Sequence, residues 1–148
     1  MSYDDLRKGR FSQNHRAYFI TTGLLERERR YFSDIYCARH VVAEMRSLHD
    51  NNAVTSLAWV IMPDHVHWLF QLEERIVLSD VIKRFKARSA QRVNAYLQRR
   101  GALWQKAFYD HAIREEEDLR GIARYIVANP LRAGMVAHVG DYPLWDAA

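Results

Sequence analysis

Residues 62–70 read Met-Pro-Asp-His-Val-His-Trp-Leu-Phe, and they decide how the chain is organised. The run is apolar and rich in residues that favour β-strands, and it carries His65 and His67 two residues apart. Side chains two residues apart on a strand point to the same face of the sheet. The two imidazoles should therefore lie side by side, an arrangement that suits a metal ion.

The flanking residues place this run in a β-hairpin. Val54 to Met62 predict one strand, Pro63-Asp64 interrupt it, and His65 to Gln71 predict the next strand, antiparallel to the first. Further elements are predicted on both sides of the hairpin from periodicity and capping residues. They are a strand at 17–22, a helix from Ser33 or Asp34 to about His49, a helix from Ser79-Asp80 to about Arg100 ended by Gly101, a strand at 103–113, and a helix from Glu115 to Asn129 that stops before Pro130.

The resulting order is β-α-β-β-α-β followed by a helix. It is typical of an α+β fold, the ferredoxin-like or RRM-like antiparallel sheet, here with an additional C-terminal helix. In such a sheet the third strand is central. We therefore expect His65 and His67 on the face that the two crossover helices leave open.

Length and composition fit one globular domain spanning residues 1–148. Residues 1–16 are expected to form a basic arm or loop, and residues 130–148 a short tail. No apolar run reaches the about 18 residues of a membrane span, and the polar start of the chain is unlike a signal peptide. The single cysteine, Cys37, excludes an internal disulfide and is compatible with a reducing cytoplasm.

Positive charge is concentrated in one segment. Residues 80–100 carry a net charge of +6 in a chain whose net charge is +4, so the rest of the chain is net negative. Arg84, Arg88 and Arg92 recur every four residues and form a stripe along the predicted helix, with Lys83 beside them. Such a stripe is either a solvated face or a contact with a polyanion, and its concentration favours phosphate contacts with DNA.

The last predicted helix carries Tyr125 and Asn129, which share a helical face because they are four residues apart. An amide oxygen from Asn129 can join His65 and His67 on a divalent ion, and this ligand set suits Mg²⁺ or Mn²⁺ better than a closed zinc site. Such an ion would polarise a phosphodiester, and Tyr125 would be placed to attack its phosphorus. Each residue alone has a plainer explanation: a structural histidine pair, a core tyrosine, and an asparagine that ends a helix before Pro130.

Taken together, these residues resemble a known family. His65-Val66-His67 followed by Tyr125-x-x-x-Asn129 is similar to the HUH endonucleases of the single-tyrosine type. Three longer segments resemble the REP-associated tyrosine transposases, which are relatives of the IS200/IS605 transposases. These segments are Trp59 to Phe70, Trp104 to His111, and Tyr125 to Gly134.

The resemblance implies an enzyme that cuts and rejoins single-stranded DNA beside hairpins formed by repetitive extragenic palindromes (REP). It implies Tyr125 as the nucleophile of a covalent 5′-phosphotyrosine intermediate, and His65, His67 and Asn129 as ligands of Mg²⁺ or Mn²⁺. The implied partner is single-stranded or hairpin DNA and not a membrane, a monomer is favoured with a dimer as the alternative, and the implied location is the nucleoid of a bacterial cytoplasm. A nearby cation such as Arg124 is expected to favour the phenolate of Tyr125, whose unperturbed pKa is about 10.

Two other functions stay open at this point. One is a rolling-circle initiator or relaxase that shares the histidine pair and the tyrosine. The other is a non-catalytic RRM-like nucleic-acid-binding module, although such a module carries aromatic residues on its central strands, where this chain has His65 and His67. His111 is either a plain strand residue or a further metal neighbour. Three aromatic residues around the fourth strand either stack on unpaired bases or pack in the core: Trp104, Phe108 and Tyr109.

Overall fold

A computed structural model describes residues 16–147 of the chain. The arm predicted at residues 1–16 lies outside this range apart from Arg16. Across the described residues, five strands form one antiparallel sheet with the order β4-β1-β3-β2-β5. The strands are β1 (Ala17–Gly23), β2 (Val54–Met62), β3 (His65–Leu72), β4 (Tyr109–Ile113) and β5 (Trp145–Ala147). The first four have the predicted ferredoxin-like order, and β3 is central as predicted.

Two long helices cover one face of the sheet, α1 (Ile35–Asp50) and α2 (Leu78–Leu97). Asp34 caps α1 as predicted, because its carboxylate accepts a hydrogen bond of 2.9 Å from the backbone N–H of Tyr36. Phe85 of α2 is fully buried against Trp68 of β3, with ring centroids 5.4 Å apart. Burying a side chain of this size contributes about 1.5–3 kcal/mol.

Alternation along β3 separates the two faces of the sheet. Val66, Trp68 and Phe70 point toward α1 and α2, so His65 and His67 point to the other face, as predicted. A third helix, α3 (Glu116–Val127), packs on that second face against β2 and β3. A short helix, α4 (Asn129–Arg132), follows it directly.

Three predicted boundaries are wrong, each for a local physical reason. The helix α2 ends at Leu97 rather than near Gly101, because Gln98 adopts the left-handed conformation (φ 54°) and its N–H bonds back to the end of the helix. The predicted strand at 103–113 is interrupted: Trp104 forms an isolated bridge with Leu24, and β4 itself begins only at Tyr109. Between them, the carbonyls of residues 105–107 accept hydrogen bonds from the Lys86 ammonium instead of joining a strand ladder. Helical backbone also continues past Pro130, which sits in the first turn of α4, where a missing N–H is tolerated.

The segment predicted as a short tail is part of the sheet. Its strand β5 pairs with β2 at the edge opposite β4. Tyr142 and Leu144 are buried, and the Tyr142 hydroxyl donates a hydrogen bond of 2.5 Å to the carbonyl oxygen of Ile61. No helix among the described residues is long and apolar enough to span a bilayer.

Candidate active site

The two histidines of β3 face one another through their ring nitrogens. Their Nε2 atoms are 3.2 Å apart, and each Nδ1 is held by another side chain. His65 Nδ1 bonds to an Asp64 carboxylate oxygen at 2.7 Å, and His67 Nδ1 bonds to the Thr21 hydroxyl at 2.8 Å. When both Nδ1 atoms carry the proton, both Nε2 lone pairs converge on one point.

The spacing of these nitrogens fits a shared divalent ion. Two ligand atoms about 2.1 Å from one ion lie about 3.0 Å apart in octahedral geometry and about 3.4 Å apart in tetrahedral geometry. The observed separation of 3.2 Å falls between these values, so His65 and His67 can ligate an ion of either geometry. Among the side chains that the structure describes, no group of three His, Cys, Asp or Glu could hold a metal ion, so a third ligand from these residues has to be another type of side chain.

The surroundings of His67 favour its neutral form. Burial lowers the pKa of His67 to about 3, and the positive charges of His65 and Arg132 act in the same direction. Burial alone would raise the pKa of Asp64, but hydrogen bonds and charge from His65 and Arg27 outweigh it and hold that pKa below its usual value. Arg27 reaches the second carboxylate oxygen of Asp64 at 2.8 Å. Asp64 is therefore a fixed anion that orients His65, and His67 is uncharged at neutral pH, the form that binds metals.

Tyr125 joins this pair from α3. Its ring centroid is 6.2 Å from that of His67 and 6.2 Å from that of Phe19 in β1. The next residue, Ile126, is fully buried and anchors the helix on the sheet, while Tyr125 keeps 48% of its surface exposed. The structure thus brings together two sequence motifs that are distant along the chain, and it excludes Tyr125 as a core residue.

Asn129 follows Tyr125 across the junction between α3 and α4. Ala128, between α3 and α4, has helical dihedral angles, and the N–H groups of Ala128 and Arg132 each donate to the carbonyl four residues before them. Asn129 is half-buried, and its side-chain amide makes no hydrogen bond to any described residue. The role of Asn129 as a third ligand therefore stays a prediction, and its amide has no competing partner among the described residues.

One residue of the site is missing from the sequence-based prediction. The Arg132 guanidinium carbon lies 3.8 Å from the centre of the Tyr125 ring, and an Arg132 N–H donates to the Tyr125 carbonyl oxygen at 2.8 Å. The expected cation, Arg124, is exposed and makes no such contact within the described region. Arg132 is seven residues after Tyr125 and so lies on the same helical face, a signal that the predicted helix end at Asn129 concealed.

The predicted DNA-contacting residues of α2 lie elsewhere. Lys83, Arg84, Arg88 and Arg92 are all exposed, and three of them line a shallow depression with Gln91. These side chains run along an exposed flank of α2, beside its buried positions. Because α2 covers the face of the sheet that carries Trp68, the helix with the basic stripe and the histidine pair belong to opposite faces of the sheet.

The three aromatic residues have different environments. Trp104 is only 6% exposed and its indole N–H bonds to Ser89, so it is a core residue and cannot stack on a base. Phe108 is half-buried with the Lys86 ammonium 5.4 Å from its ring centre. Tyr109 keeps 59% of its surface exposed, and His111, two residues later on β4, is also exposed.

Comparison with known proteins assigns the family. The model of the family described as "Transposase IS200 like" matches residues 14–129, which is most of the chain. The chain belongs to this transposase family. Its motifs at residues 59–70, 104–111 and 125–134 resemble the REP-associated branch, and similar proteins confirm that assignment.

Two of these relatives have curated names. A REP-associated tyrosine transposase of Haemophilus influenzae is 31% identical over 140 residues, with 85% of this chain and 76% of the relative covered. A REP-associated tyrosine transposase of Escherichia coli K12 is 29% identical over 128 residues, with 86% of this chain and 73% of the relative covered.

Solved structures agree with this assignment. The structure of a REP-associated tyrosine transposase bound to a REP hairpin matches with a TM-score of 0.75 at 25% identity, covering 88% of this chain and 75% of that one. A transposase structure from Deinococcus radiodurans matches with a TM-score of 0.57 at 23% identity, covering 82% and 95% of the two chains, and supports the fold alone.

Proposed function

We propose that this transposase is a metal-dependent endonuclease and strand transferase of single-stranded DNA, which acts beside REP-type hairpins through a covalent 5′-phosphotyrosine intermediate. One observation carries the proposal. The Tyr125 ring lies beside His67, whose Nε2 faces the Nε2 of His65 at 3.2 Å. Hairpin DNA as the partner is supported by the structural relative that is bound to a REP hairpin.

In the proposed reaction, the phenol oxygen of Tyr125 attacks the scissile phosphorus and loses its proton to solvent. A Tyr125–O–P bond forms and the bond from phosphorus to the 3′ oxygen breaks. The 3′ oxygen gains a proton and leaves as a free 3′-OH, and the 5′ phosphate stays on Tyr125. One phosphoester bond replaces another, so a 3′-OH can attack the phosphotyrosine and rejoin the strand without an external energy source.

His65, His67 and Asn129 are the proposed ligands of Mg²⁺ or Mn²⁺. When bound, the ion supplies positive charge to the phosphate oxygens and the departing 3′ oxygen. Asp64 and Thr21 orient the two imidazoles through Nδ1, which directs both Nε2 atoms to the same point. The amide of Asn129 needs no rearrangement of a hydrogen bond to reach that point.

Arg132 is proposed to act on both the nucleophile and the phosphate. The guanidinium packs on the Tyr125 ring and bonds to the backbone of the same residue, so it restricts the orientation of the phenol. No acidic side chain among the described residues pairs with Arg132. Its remaining N–H groups can therefore donate to phosphate oxygens in the fork geometry that arginine favours.

The basic stripe of α2 is proposed to hold a different part of the DNA. Lys83, Arg84, Arg88 and Arg92 belong to a helix on the face of the sheet opposite Tyr125, so phosphates bound there would belong to the hairpin stem or to a flank that passes around the protein. Such contacts position the DNA without specifying sequence.

Adduct formation tests the proposal. The protein is incubated with Mn²⁺ and hairpin oligonucleotides that carry unpaired flanks, drawn from the palindromic repeats of its source genome. The expected result is a protein–DNA species that resists denaturation in a gel, together with a fragment ending in 3′-OH. Tyr125→Phe should abolish the adduct, because phenylalanine has no nucleophilic oxygen, and chelation of the metal should abolish it as well.

A matched control is Tyr36→Phe, because Tyr36 is an exposed tyrosine at the start of α1 on the far side of the sheet. This variant should form the adduct normally. Hairpin binding without any adduct in the unaltered protein would contradict the proposal and favour an RRM-like binding module. An adduct that persists in Tyr125→Phe would show that Tyr125 is not the nucleophile.

A further inference from the structure

We infer that the exposed face of β4 is a stacking site for an unpaired DNA base next to the scissile phosphate, with Tyr109 as the principal contact. This inference rests on the proposed function, because it assigns a subsite to the DNA strand that Tyr125 would cut. Its evidence is the strand register, the exposure of the residues and the chemistry of their side chains.

The register places Tyr109 in one row with the candidate metal ligand. Tyr109 pairs with Thr21 of β1, and Thr21 in turn pairs with His67 of β3. Directly opposed residues of antiparallel strands point to the same face, so Tyr109 and His67 share the face on which Tyr125 lies. Two strand spacings separate them, about 10 Å. That distance is suited to one nucleotide, with its phosphate at the histidine pair and its base at Tyr109.

A second row extends the same surface. His111 pairs with Phe19 of β1 and so lies beside Tyr109 on this face. Phe19 contacts both His67 and Tyr125, with ring centroids 5.5 Å and 6.2 Å away. Aromatic side chains therefore occupy this face from Tyr125 through Phe19 to the paired position of His111 on the edge strand.

Tyr109 does little for the fold. It keeps 59% of its surface exposed, and its hydroxyl and ring make no hydrogen bond or ring contact with any described residue. The buried aromatic residue of the preceding loop is Trp104, which serves the core. An exposed aromatic ring beside a phosphate-directed site is the usual platform for an unpaired base, because every base has a face that can stack.

Charge supports a nucleic acid strand as the occupant. Arg132, without an acidic partner among the described residues, stands over the Tyr125 ring at one end of this surface. If a DNA strand places its phosphate at Arg132 and the histidine pair, the attached base points either toward Tyr109 on β4 or toward solvent. Stacking requires no particular base, so the site positions the strand rather than reading its sequence.

The test measures base stacking separately from catalysis. The probe is the hairpin oligonucleotide with 2-aminopurine placed in turn at each unpaired position around the cut, bound to Tyr125→Phe protein so that no cleavage occurs. We expect quenched fluorescence at one position only. Replacing Tyr109 with leucine should remove that quenching and weaken binding of the single-stranded flank by about 5- to 150-fold, whereas Tyr109→Phe should retain both.

Tyr36→Leu is the matched control, since Tyr36 is equally exposed but lies on α1, and it should leave quenching and affinity unchanged. Circular dichroism verifies that the leucine variants fold. Unchanged quenching in Tyr109→Leu, or equal losses in Tyr109→Phe and Tyr109→Leu, would overturn the stacking site. Absence of an adduct from the protein with Tyr125 intact would instead count against the proposed function, so the two failures are distinguishable.

Discussion

At the scale of single residues, two neighbouring threonines of β1 have opposite environments. Alternation along the strand directs Thr21 toward the histidine pair, where its hydroxyl holds His67 Nδ1 at 2.8 Å. Thr22 points into the other side of the sheet, where its hydroxyl is buried without a hydrogen-bond partner among the described residues. A threonine hydroxyl therefore orients a candidate metal ligand at position 21 and lowers the stability of the fold at position 22.

This contrast predicts the effects of two matched substitutions. Thr21→Val removes the partner that orients His67 and should weaken Mn²⁺ binding by about 10- to 100-fold in a calorimetric titration. Thr22→Val removes an unsatisfied buried hydroxyl, so it should leave Mn²⁺ binding unchanged and raise the free energy of unfolding by about 1 kcal/mol. Equal reductions of Mn²⁺ affinity in the two variants would contradict an orienting role for Thr21.

Arg132 supports a second prediction at this scale. Arg132→Gln should slow adduct formation at saturating DNA by about 100-fold, because a positioned charge beside the reacting phosphate is removed. Arg132→Lys should recover part of the rate, since lysine keeps the charge but not the planar fork. The measurement is a single-turnover time course of the covalent adduct.

Arg124→Gln is the control for that experiment, because Arg124 is an exposed arginine one residue before Tyr125. It should react at nearly the unaltered rate. A larger decrease in Arg124→Gln than in Arg132→Gln would restore the assignment made from sequence and refute the one made from geometry.

At the scale of secondary-structure elements, the basic stripe of α2 is proposed to be a DNA-binding surface separate from the proposed catalytic face. Exchanging Arg84 and Arg88 together for glutamine should make log affinity fall less steeply with log salt, by about 0.7–0.9 in slope for each phosphate that the protein no longer binds. The saturated single-turnover rate should not change, because α2 and Tyr125 lie on opposite faces of the sheet. Binding isotherms at several salt concentrations, with rates at saturating DNA, provide the measurement.

The control pair is Arg39→Gln with Arg46→Gln, which removes the same charge from exposed positions of α1. The salt slope of this control should stay near that of the unaltered protein. Equal changes in the two double variants would mean that net charge, rather than the stripe on α2, governs the affinity.

The elements also show which parts of the fold sequence can predict. Period-2 and period-3.6 patterns, with the Asp34 cap, predicted the order of the first four strands and the two crossover helices, because these signals are local. The predicted end of α2 was wrong because Gln98, and not the expected Gly101, adopts the left-handed conformation that ends the helix. No local rule selects Gln98 for this conformation. The strand β5 was missed because its pairing with β2 joins distant parts of the chain.

The candidate site divides in the same way. His65 and His67 were predicted to share a face because strand periodicity alone determines it. The approach of Tyr125 to His67 depends on how α3 packs across the sheet, which neither motif encodes locally. The resemblance to a family predicted that Tyr125 acts together with the histidine pair. The contact between Arg132 and Tyr125 became visible only in the structure.

At the scale of the whole molecule, the sheet divides two tasks between its faces. One face carries α1 and α2, with the basic stripe exposed on α2, and the other carries the histidine pair, Tyr125 and Tyr109 of the edge strand β4. Tyr125 meets His67 of its own chain, so all proposed catalytic groups come from one molecule. This contact is what a monomeric enzyme would need, and the monomer itself stays a prediction.

A mixing experiment tests this arrangement. Tyr125→Phe protein, which keeps the histidines, is combined with His67→Ala protein, which keeps the nucleophile, and both are given Mn²⁺ and hairpin DNA. No adduct above the sum of the separate variants is expected, because each molecule lacks one part of its own site. Diluting unaltered protein into either variant should give adduct in proportion to the unaltered fraction, which verifies that the variants do not inhibit. Adduct that appears only in the mixture would require Tyr125 of one chain to act at the histidines of another, and the proposed monomer would then be wrong.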